Sequence, residues 1–262
     1  MTITLHELKQ NKRQFLIWTA AIGFLLAVCV FLFPEMKGEM DGMNDIFSSM
    51  GSFTEAFGMD KISFGTLTGF YAVECGNILG LGGAFFASLC AVSMLAKEET
   101  GHTAAFLLTH PISRIRVILE KLAAMLLQVI LLNLILYVLA AASIALIGED
   151  IPWKELTLLH LAYFLLQTEL AGICFGISAF LRRGSTGLGI GVAVLLYFLN
   201  LVANITEQAE FLKYLTPFGY AEGADLITSL RLDGRLVGIG MVLGALGILL
   251  GCWKYCTKDI YS

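Results

Sequence analysis

The chain has 262 residues, of which 57% are apolar and only 15% are charged, and its formal net charge at pH 7 is -4. This composition lies far from that of soluble domains. No charge run and no aromatic-basic patch points to nucleic-acid binding.

Six stretches of the sequence are long and apolar enough to cross a membrane as helices. Five of them contain no charged residue over 18 to 27 consecutive positions, and the sixth contains only Glu169. A spanning helix needs about 20 apolar residues. We therefore predict an all-α integral membrane protein that forms a single transmembrane domain over residues 1–262, with short helices in its external connections. The spans are expected at about 15–33, 70–96, 122–147, 156–181, 184–206 and 236–255.

The leader, residues 2–14, combines Ile3 and Leu5 with three basic residues. Two interpretations stay open: an amphipathic helix lying in the inner membrane interface, or a charged anchor before the first span. The apolar stretch that follows, Phe15–Phe33, is too long for a signal-peptide core and lacks a small-residue cleavage site, so we expect it to be retained.

The first loop after span 1 contains large apolar residues at helical spacing, within acidic surroundings. We predict an amphipathic helix there, resting on the outer leaflet or on the mouth of the bundle. Packing is the favoured interpretation and a substrate lid is the alternative. The stripe comprises Met43, Phe47, Met50, Phe53 and Phe57.

The segment between spans 2 and 3 is the most informative connection. Gly101 should end the helix that leaves span 2, and Pro111 should open the helix that enters span 3. Between them, Thr103–Leu108 is expected to form a short helix, with Phe106 as a candidate anchor in a binding pocket. A simple linker would not need this organisation, so we predict a surface that contacts a soluble partner.

The distribution of Lys and Arg predicts the orientation. If both termini are cytoplasmic, the cytoplasmic segments contain 11 Lys and Arg in 50 residues, against 6 in 74 in the external segments. This asymmetry is what the positive-inside rule expects.

The sequence contains no motif typical of a catalytic, phosphate-binding or metal-binding site. It contains no CxxC motif and no Gly-rich phosphate loop, and its four histidines are scattered. The six cysteines are expected to act as small apolar residues within spans. We predict no catalytic centre, no metal site and no cofactor bound by this chain.

The connection between spans 2 and 3 resembles the signature of ABC-2-type permeases, the membrane subunits of ATP-binding-cassette exporters. The leader is similar to theirs, as are Phe57-Gly58 and the motif Leu215-Thr216-Pro217-Phe218-Gly219-Tyr220. One departure is His102, which separates Gly101 from Thr103, whereas the Gly and the Thr are commonly adjacent in the family. The matching residues of the connection are Glu98, Glu99, Gly101, Thr103, Leu107, Leu108, Thr109, Pro111, Ile112, Ser113, Arg114 and Lys121.

The resemblance implies a function and a set of partners. The protein is expected to be the permease subunit of an exporter in the plasma membrane, paired with a second copy or a related chain. Cytoplasmic ATPase subunits would carry ATP and Mg²⁺, and the segment Thr103–Leu108 would be the coupling helix seated on them. The residues expected to take part in coupling are Glu98, Glu99, Gly101, Thr103, Phe106, Leu107, Leu108, Pro111 and Arg114.

Polar residues within the spans are candidates for a transport pathway or a helix interface. Glu169 lies near the middle of span 4, where a charge is costly, so it should face the bundle or a hydrated cavity. Its alternative role is a carboxylic acid hydrogen-bonded to a neighbouring span. Glu74, Asn77, Asn200 and Asn204 lie near the outer ends of spans and are candidates for an external vestibule.

Pairs of glycines four residues apart predict places where helices approach closely. These pairs are Gly76/Gly80, Gly187/Gly191, Gly240/Gly244 and Gly247/Gly251.

Two other classes of protein remain as alternatives to the exporter subunit. An ATP-independent carrier would be favoured by inverted repeats with broken helices, which the sequence does not show. A membrane-embedded scaffold protein is the other alternative.

Overall fold

A computed structural model describes residues 2–37, 51, 54, 56, 59, 61–100 and 112–258 of the chain. Within these residues the secondary structure is entirely helical. Eight α-helices follow one another: α1 (Thr2–Lys37), α2 (Leu67–Val92), α3 (Lys97–Thr100), α4 (Arg114–Leu146), α5 (Trp153–Phe180), α6 (Thr186–Ile205), α7 (Gly223–Ser229) and α8 (Gly234–Thr257).

Six of these helices, α1, α2, α4, α5, α6 and α8, are long and apolar enough to cross a membrane. They include or overlap the six predicted spans, and the prediction of an all-α integral membrane protein is confirmed. Many large apolar side chains remain exposed along α1, α4, α6 and α8, as lipid-facing or subunit-facing helices require.

Contacts between distant residues define the two ends of the bundle. Arg114 reaches the backbone of Lys258, and Thr4 reaches Glu120, so α1 and α4 begin where α8 ends. We call this the near end. At the other end, the far end, Lys37 pairs with Glu149 at 2.7 Å.

Helix α5 lies at the centre and packs against α8, α2 and α4. Its contact with α8 is formed by glycines from both helices. A methyl group added at Gly172 would lie 2.7 Å from the carbonyl oxygen of Gly244, and one at Gly176 would lie 2.2 Å from that of Gly247. These distances permit no larger residue without movement of the backbone.

Of the glycine pairs predicted from the sequence, both pairs on α8 lie in this contact with α5. Gly76 and Gly80 approach α5 at the side chain of Tyr163. Gly187 and Gly191 have no atom of the described residues within 4 Å of the position that a methyl group would take.

Residues 2–14 form the first turns of α1 and are continuous with the first span. Neither proline nor glycine occurs between Thr2 and Ile22, so nothing in the sequence interrupts the helix there. The loop stripe Met43–Phe57 lies outside the described residues.

Span 2 ends earlier than predicted. We expected its helix to continue to Gly101, whereas α2 ends at Val92 and α3 begins at Lys97 after a turn. Two backbone groups in this turn are bound by side chains from other helices. Met94 accepts a hydrogen bond of 2.7 Å from the Lys121 ammonium group, and the Leu95 amide donates to the Ser178 hydroxyl at 3.3 Å.

The connection between α6 and α8 contains short helices, as predicted for the external side, but part of it lies inside the bundle. It begins with a 3₁₀ helix, Glu207–Tyr214, and then enters the bundle as a buried 3₁₀ turn, Pro217–Tyr220, before α7. The Thr216 hydroxyl donates to the carbonyl oxygen of Leu196 at 2.8 Å, well inside α6. We call residues 216–224 the inserted segment.

Candidate functional site

Four charged side chains meet at the near end of the bundle, where they connect α1, α3 and α4. We call them the near-end charge cluster: Glu7, Lys97, Glu98 and Lys121. Glu7 comes from α1, Lys97 and Glu98 come from the first turn of α3, and Lys121 comes from α4. The cluster therefore joins three segments that are far apart in the sequence.

Lys121 is the centre of the cluster, and its side chain is fully buried. Its ammonium group pairs with Glu98 and lies 3.2 Å from the Glu7 carboxylate. The same ammonium group also donates a hydrogen bond to the Met94 carbonyl oxygen. A buried charge is tolerated only when it is paired in this way.

Lys97 adds a second cation beside the same Glu7 carboxylate. It pairs with Glu7 and also donates to the side-chain oxygen of Gln10 at 2.8 Å. Burial lowers the pKa of Lys97, while the neighbouring Glu7 carboxylate acts in the opposite direction. Both lysines thus fix the first turns of α1 against the bundle.

The start of α4 is fixed to the end of α8. The Arg114 guanidinium group donates to three carbonyl oxygens, those of Tyr255, Cys256 and Lys258, at 2.8–3.2 Å. Tyr255 and Cys256 belong to the last turn of α8 and Lys258 directly follows it, so Arg114 caps the end of this helix. Ser113 in turn caps α4 by accepting a hydrogen bond from the Arg116 amide.

The described residues bound the predicted coupling segment on both sides. Glu98 lies in the near-end charge cluster, whereas Arg114 lies at the end of α8. Within the described residues, these two side chains therefore belong to separate contacts. The side chain of Glu99 and the residues Gly101, Thr103, Phe106, Leu107, Leu108 and Pro111 lie outside the described part of the chain.

Sequence reasoning missed two members of the cluster, Glu7 and Lys97. One signal was present, since Glu7 is the only acidic residue among the basic residues of the leader. A lone carboxylate in a basic segment is a candidate for an ion pair.

Three of the buried polar side chains of α5 are each hydrogen-bonded to a different part of the molecule. Near the far end, His160 shares a hydrogen bond of 2.8 Å with Tyr71 of α2. Further along, Gln167 accepts a hydrogen bond from Asn133 of α4 at 2.7 Å. Glu169 follows one half-turn later and is 1% exposed.

Glu169 accepts a hydrogen bond of 2.9 Å from the hydroxyl group of Tyr220. Its carboxylate also lies against α8, where a methyl group added at Gly240 would be 2.1 Å from an oxygen of Glu169. Glu169 therefore faces the interior, as its position in the span predicts. Its partner belongs to the inserted segment and not to one of the six long helices.

A polar cavity of about 50 Å³ lies near the far end, between α2, α5, α6 and the inserted segment. It is large enough for a few water molecules. We call it the far-end cavity. Its polar lining comprises Asn77, Tyr163, Tyr197, Asn200, Asn204 and Glu222.

The cavity unites some of the predicted pathway residues but not all of them. Asn77 and Asn200 line it together, with Asn204, as a vestibule at the outer ends of the spans would require. Glu74 is half-buried, and neither Glu74 nor Glu169 lines the cavity. Glu222 was not among the sequence candidates, because its place in a connection gave no sign of burial.

Burial is the main cause that raises the pKa of Glu222, and Asp225 acts in the same direction. Lys61 and Lys213 partly oppose this shift. The ammonium group of Lys61 lies 3.7 Å from Glu222 and 2.8 Å from Asp225. These three groups link the segment before α2 to α7.

Among the described residues, no three His, Cys, Asp or Glu side chains come together as a metal-binding group. The described cysteines are all free thiols.

Comparison with known proteins is consistent with a transport role. A family model described as "ABC-2 family transporter protein" matches residues 1–251, almost the whole chain. The comparison with individually curated proteins gave no match. With six spanning helices and a family match of this extent, the chain belongs to the ABC-2 family of transporter proteins and is a membrane component of an ABC transporter.

Proposed function

We propose that this protein is the permease subunit of an ABC exporter, and that it forms the translocation pathway with a second copy of itself or a related permease. A separate cytoplasmic ATPase binds ATP and Mg²⁺ and supplies the energy. The six spanning helices and the family membership support the permease role. The connections on the near-end side are richer in Lys and Arg than those on the far-end side, and this difference supports an orientation with the near end in the cytoplasm.

The near-end charge cluster is the observation that carries the coupling proposal. Residues 101–111 follow α3, which is tied to α1 and α4 through Lys121 and Glu7. They precede α4, whose first residue, Arg114, is tied to α8. A displacement of this segment by an ATPase would therefore be transmitted to three spanning helices at once.

Within this proposal, Thr103–Leu108 docks on the ATPase, and Phe106 is the side chain that enters its groove. Gly101 and Pro111 delimit the docking helix, and Glu99 lies beside it. Glu98 and Arg114 take part by holding the two ends of the segment in place. The pathway residues proposed are Glu74, Asn77, Glu169 and Asn200.

Co-purification of the ATPase with the tagged, full-length permease from its native membrane tests the docking. Phe106→Asp should remove most of the ATPase while the permease still accumulates as a monodisperse protein, because a buried charge disrupts a small apolar contact. Phe211→Asp is a matched control, since Phe211 is an exposed phenylalanine in the 3₁₀ helix at the far end.

If Phe106→Asp retains the ATPase as Phe211→Asp does, Phe106 is not the anchor. If no ATPase accompanies even the unmodified permease, an ATP-independent carrier becomes the better explanation.

The orientation is tested separately by labelling with a membrane-impermeant thiol reagent. In a cysteine-free background, Thr228→Cys should react in intact cells, because Thr228 is exposed at the far end. Lys12→Cys, also exposed but at the near end, should react only after the membrane is opened. The reverse pattern would place the coupling segment on the wrong side for an ATPase.

A further inference from the structure

Several buried oxygen atoms of residues that line the far-end cavity accept no hydrogen bond from the described residues. Four buried side-chain oxygens accept no hydrogen bond from the residues that the structure describes: Asn200 Oδ1, Asn204 Oδ1 and both carboxylate oxygens of Glu222. Asn200 is 7% exposed and Glu222 is 9% exposed. Buried acceptors without donors are costly, so their accumulation in one cavity points to a ligand that supplies positive charge or protons.

The backbone around the cavity is built to bring these oxygens together. The first turns of α2 contain a π-helical segment, Tyr71–Cys75, a rare conformation that is frequent at functional sites. Asn77 donates to the Val73 carbonyl oxygen of this segment at 2.9 Å. A methyl group added at Gly223 would lie 2.1 Å from the Ala72 carbonyl oxygen, so only glycine lets the inserted segment approach α2 here.

Some donors beside the cavity already have acceptors. Asn204 uses one of its two amide N–H groups to donate to the Ala56 carbonyl oxygen at 3.2 Å, and its side chain also lies close enough to Glu222 to lower the pKa of that carboxyl group. The Tyr197 hydroxyl donates to Asn77 at 3.4 Å. Lys61 makes its short contact, 2.8 Å, with Asp225 and stays 3.7 Å from Glu222. Lys61, Asp225 and Glu222 together carry one negative charge when all three are ionised.

We propose that the far-end cavity binds a small monovalent metal cation of the Na⁺ or K⁺ class, coordinated by Glu222, Asn200 and Asn204. Carboxylate and amide oxygens are the ligands of hard cations. One carboxylate among neutral oxygens, with a lysine close by, suits a single positive charge better than a double one. Oxygen dipoles of this kind replace the hydration shell of alkali cations in other membrane proteins. The proposal goes beyond the transporter role and does not depend on it.

Thermal unfolding of the purified, full-length protein tests the site. The melting temperature, Tm, is compared in NaCl, KCl, CaCl₂ and N-methyl-D-glucamine chloride at equal ionic strength. A bound ion stabilises the folded state by mass action, so Na⁺ or K⁺ should raise Tm by at least about 2 °C in a saturable manner. N-methyl-D-glucamine is too large for a cavity of about 50 Å³ and should have no such effect.

Variants separate binding at this cavity from a general salt effect. Glu222→Gln and Asn200→Leu should each abolish the Na⁺- or K⁺-dependent rise in Tm. Glu155→Gln should retain it, because Glu155 is a partly buried glutamate at the start of α5 that does not line the cavity. If Asn200→Leu fails to fold, Asn200→Ser serves in its place.

Three results would overturn the proposal. One is an equal Tm in all four salts, which would mean that water or a protonated Glu222 satisfies the cavity. Another is a rise that survives both cavity variants, which would place the effect elsewhere. The third is a response to Ca²⁺ alone, which would contradict the monovalent class.

Discussion

The Tyr220 hydroxyl group donates a hydrogen bond of 2.9 Å to the carboxylate of Glu169, and both side chains are buried. This contact joins the centre of α5 to the inserted segment, which enters the bundle from the far end. It lies beside Gly240 of α8, so it also adjoins the glycine contact between α5 and α8.

Tyr220→Phe should lower stability by about 1–3 kcal/mol, because it leaves the buried Glu169 carboxylate without its donor. Glu169→Gln should have a smaller effect, since an amide can still accept the hydrogen bond. Tm of the purified variants measures both effects. If the loss of stability in the double variant is no smaller than the sum of the losses in the two single variants, the two side chains do not interact energetically.

Lys121→Met should be the most damaging change at the near end. It removes the cation that pairs with Glu7 and Glu98 and leaves two carboxylates crowded in a largely buried site. Removing one partner of a buried ion pair costs about 3–5 kcal/mol. We expect loss of monodisperse protein in fluorescence-detected size-exclusion chromatography.

Lys154→Met is the control for this change, because Lys154 is exposed at the start of α5. Adding Glu98→Gln to Lys121→Met should restore part of the yield, since it removes one unpaired charge. Normal yield and Tm for Lys121→Met alone would show that the cluster contributes little to the fold.

From the glycine contact between α5 and α8, we predict opposite effects of substitution at two glycines of α8. Gly247→Ala places a methyl group 2.7 Å from the Gly172 carbonyl oxygen and should destabilise by about 1–3 kcal/mol. At Gly238, no atom of the described residues lies within 4 Å of the added methyl group. Gly238→Ala should therefore be neutral or stabilising by up to about 1 kcal/mol, because alanine favours the helix. Equal Tm values for the two variants would contradict this account of the contact.

The sequence was sufficient to predict the spans, because a charge-free run of about 20 residues has few alternatives to a membrane helix. It also indicated that Glu169 faces the interior, since its midspan depth excludes exposure to lipid. Its partner Tyr220 could not be identified, because no local pattern shows that a connection between spans folds back into the bundle.

The near-end charge cluster was hidden for a related reason. Charged residues next to a span are normally interpreted as anchors at the membrane surface, and Glu7 and Lys97 are 90 residues apart in the sequence. Only the packing of α1 against α4 brings them together. The early end of α2 follows from the same packing, since Lys121 binds the Met94 carbonyl oxygen and displaces the expected helical continuation.

Glu222 should make the stability of the far end depend on pH. Burial raises its pKa in the folded protein above the usual value, with Asp225 acting in the same sense and Lys61 and Lys213 opposing it. The folded state therefore binds the proton more tightly than the unfolded state does. This group destabilises the fold when it is ionised, and that cost disappears as the pH falls through its raised pKa.

We therefore compare the Tm of the unmodified protein with that of Glu222→Gln in the absence of Na⁺ and K⁺. As the pH is lowered from neutrality toward the ordinary pKa of a glutamate, the Tm of the unmodified protein should rise relative to that of the variant. Below that value the difference should stop changing, because the carboxyl group is then protonated in both states. Glu155→Gln supplies the control for the removal of a partly buried glutamate at the start of α5, outside the cavity. A difference between the unmodified protein and Glu222→Gln that stays constant across this range would show that Glu222 titrates alike in the folded and unfolded states.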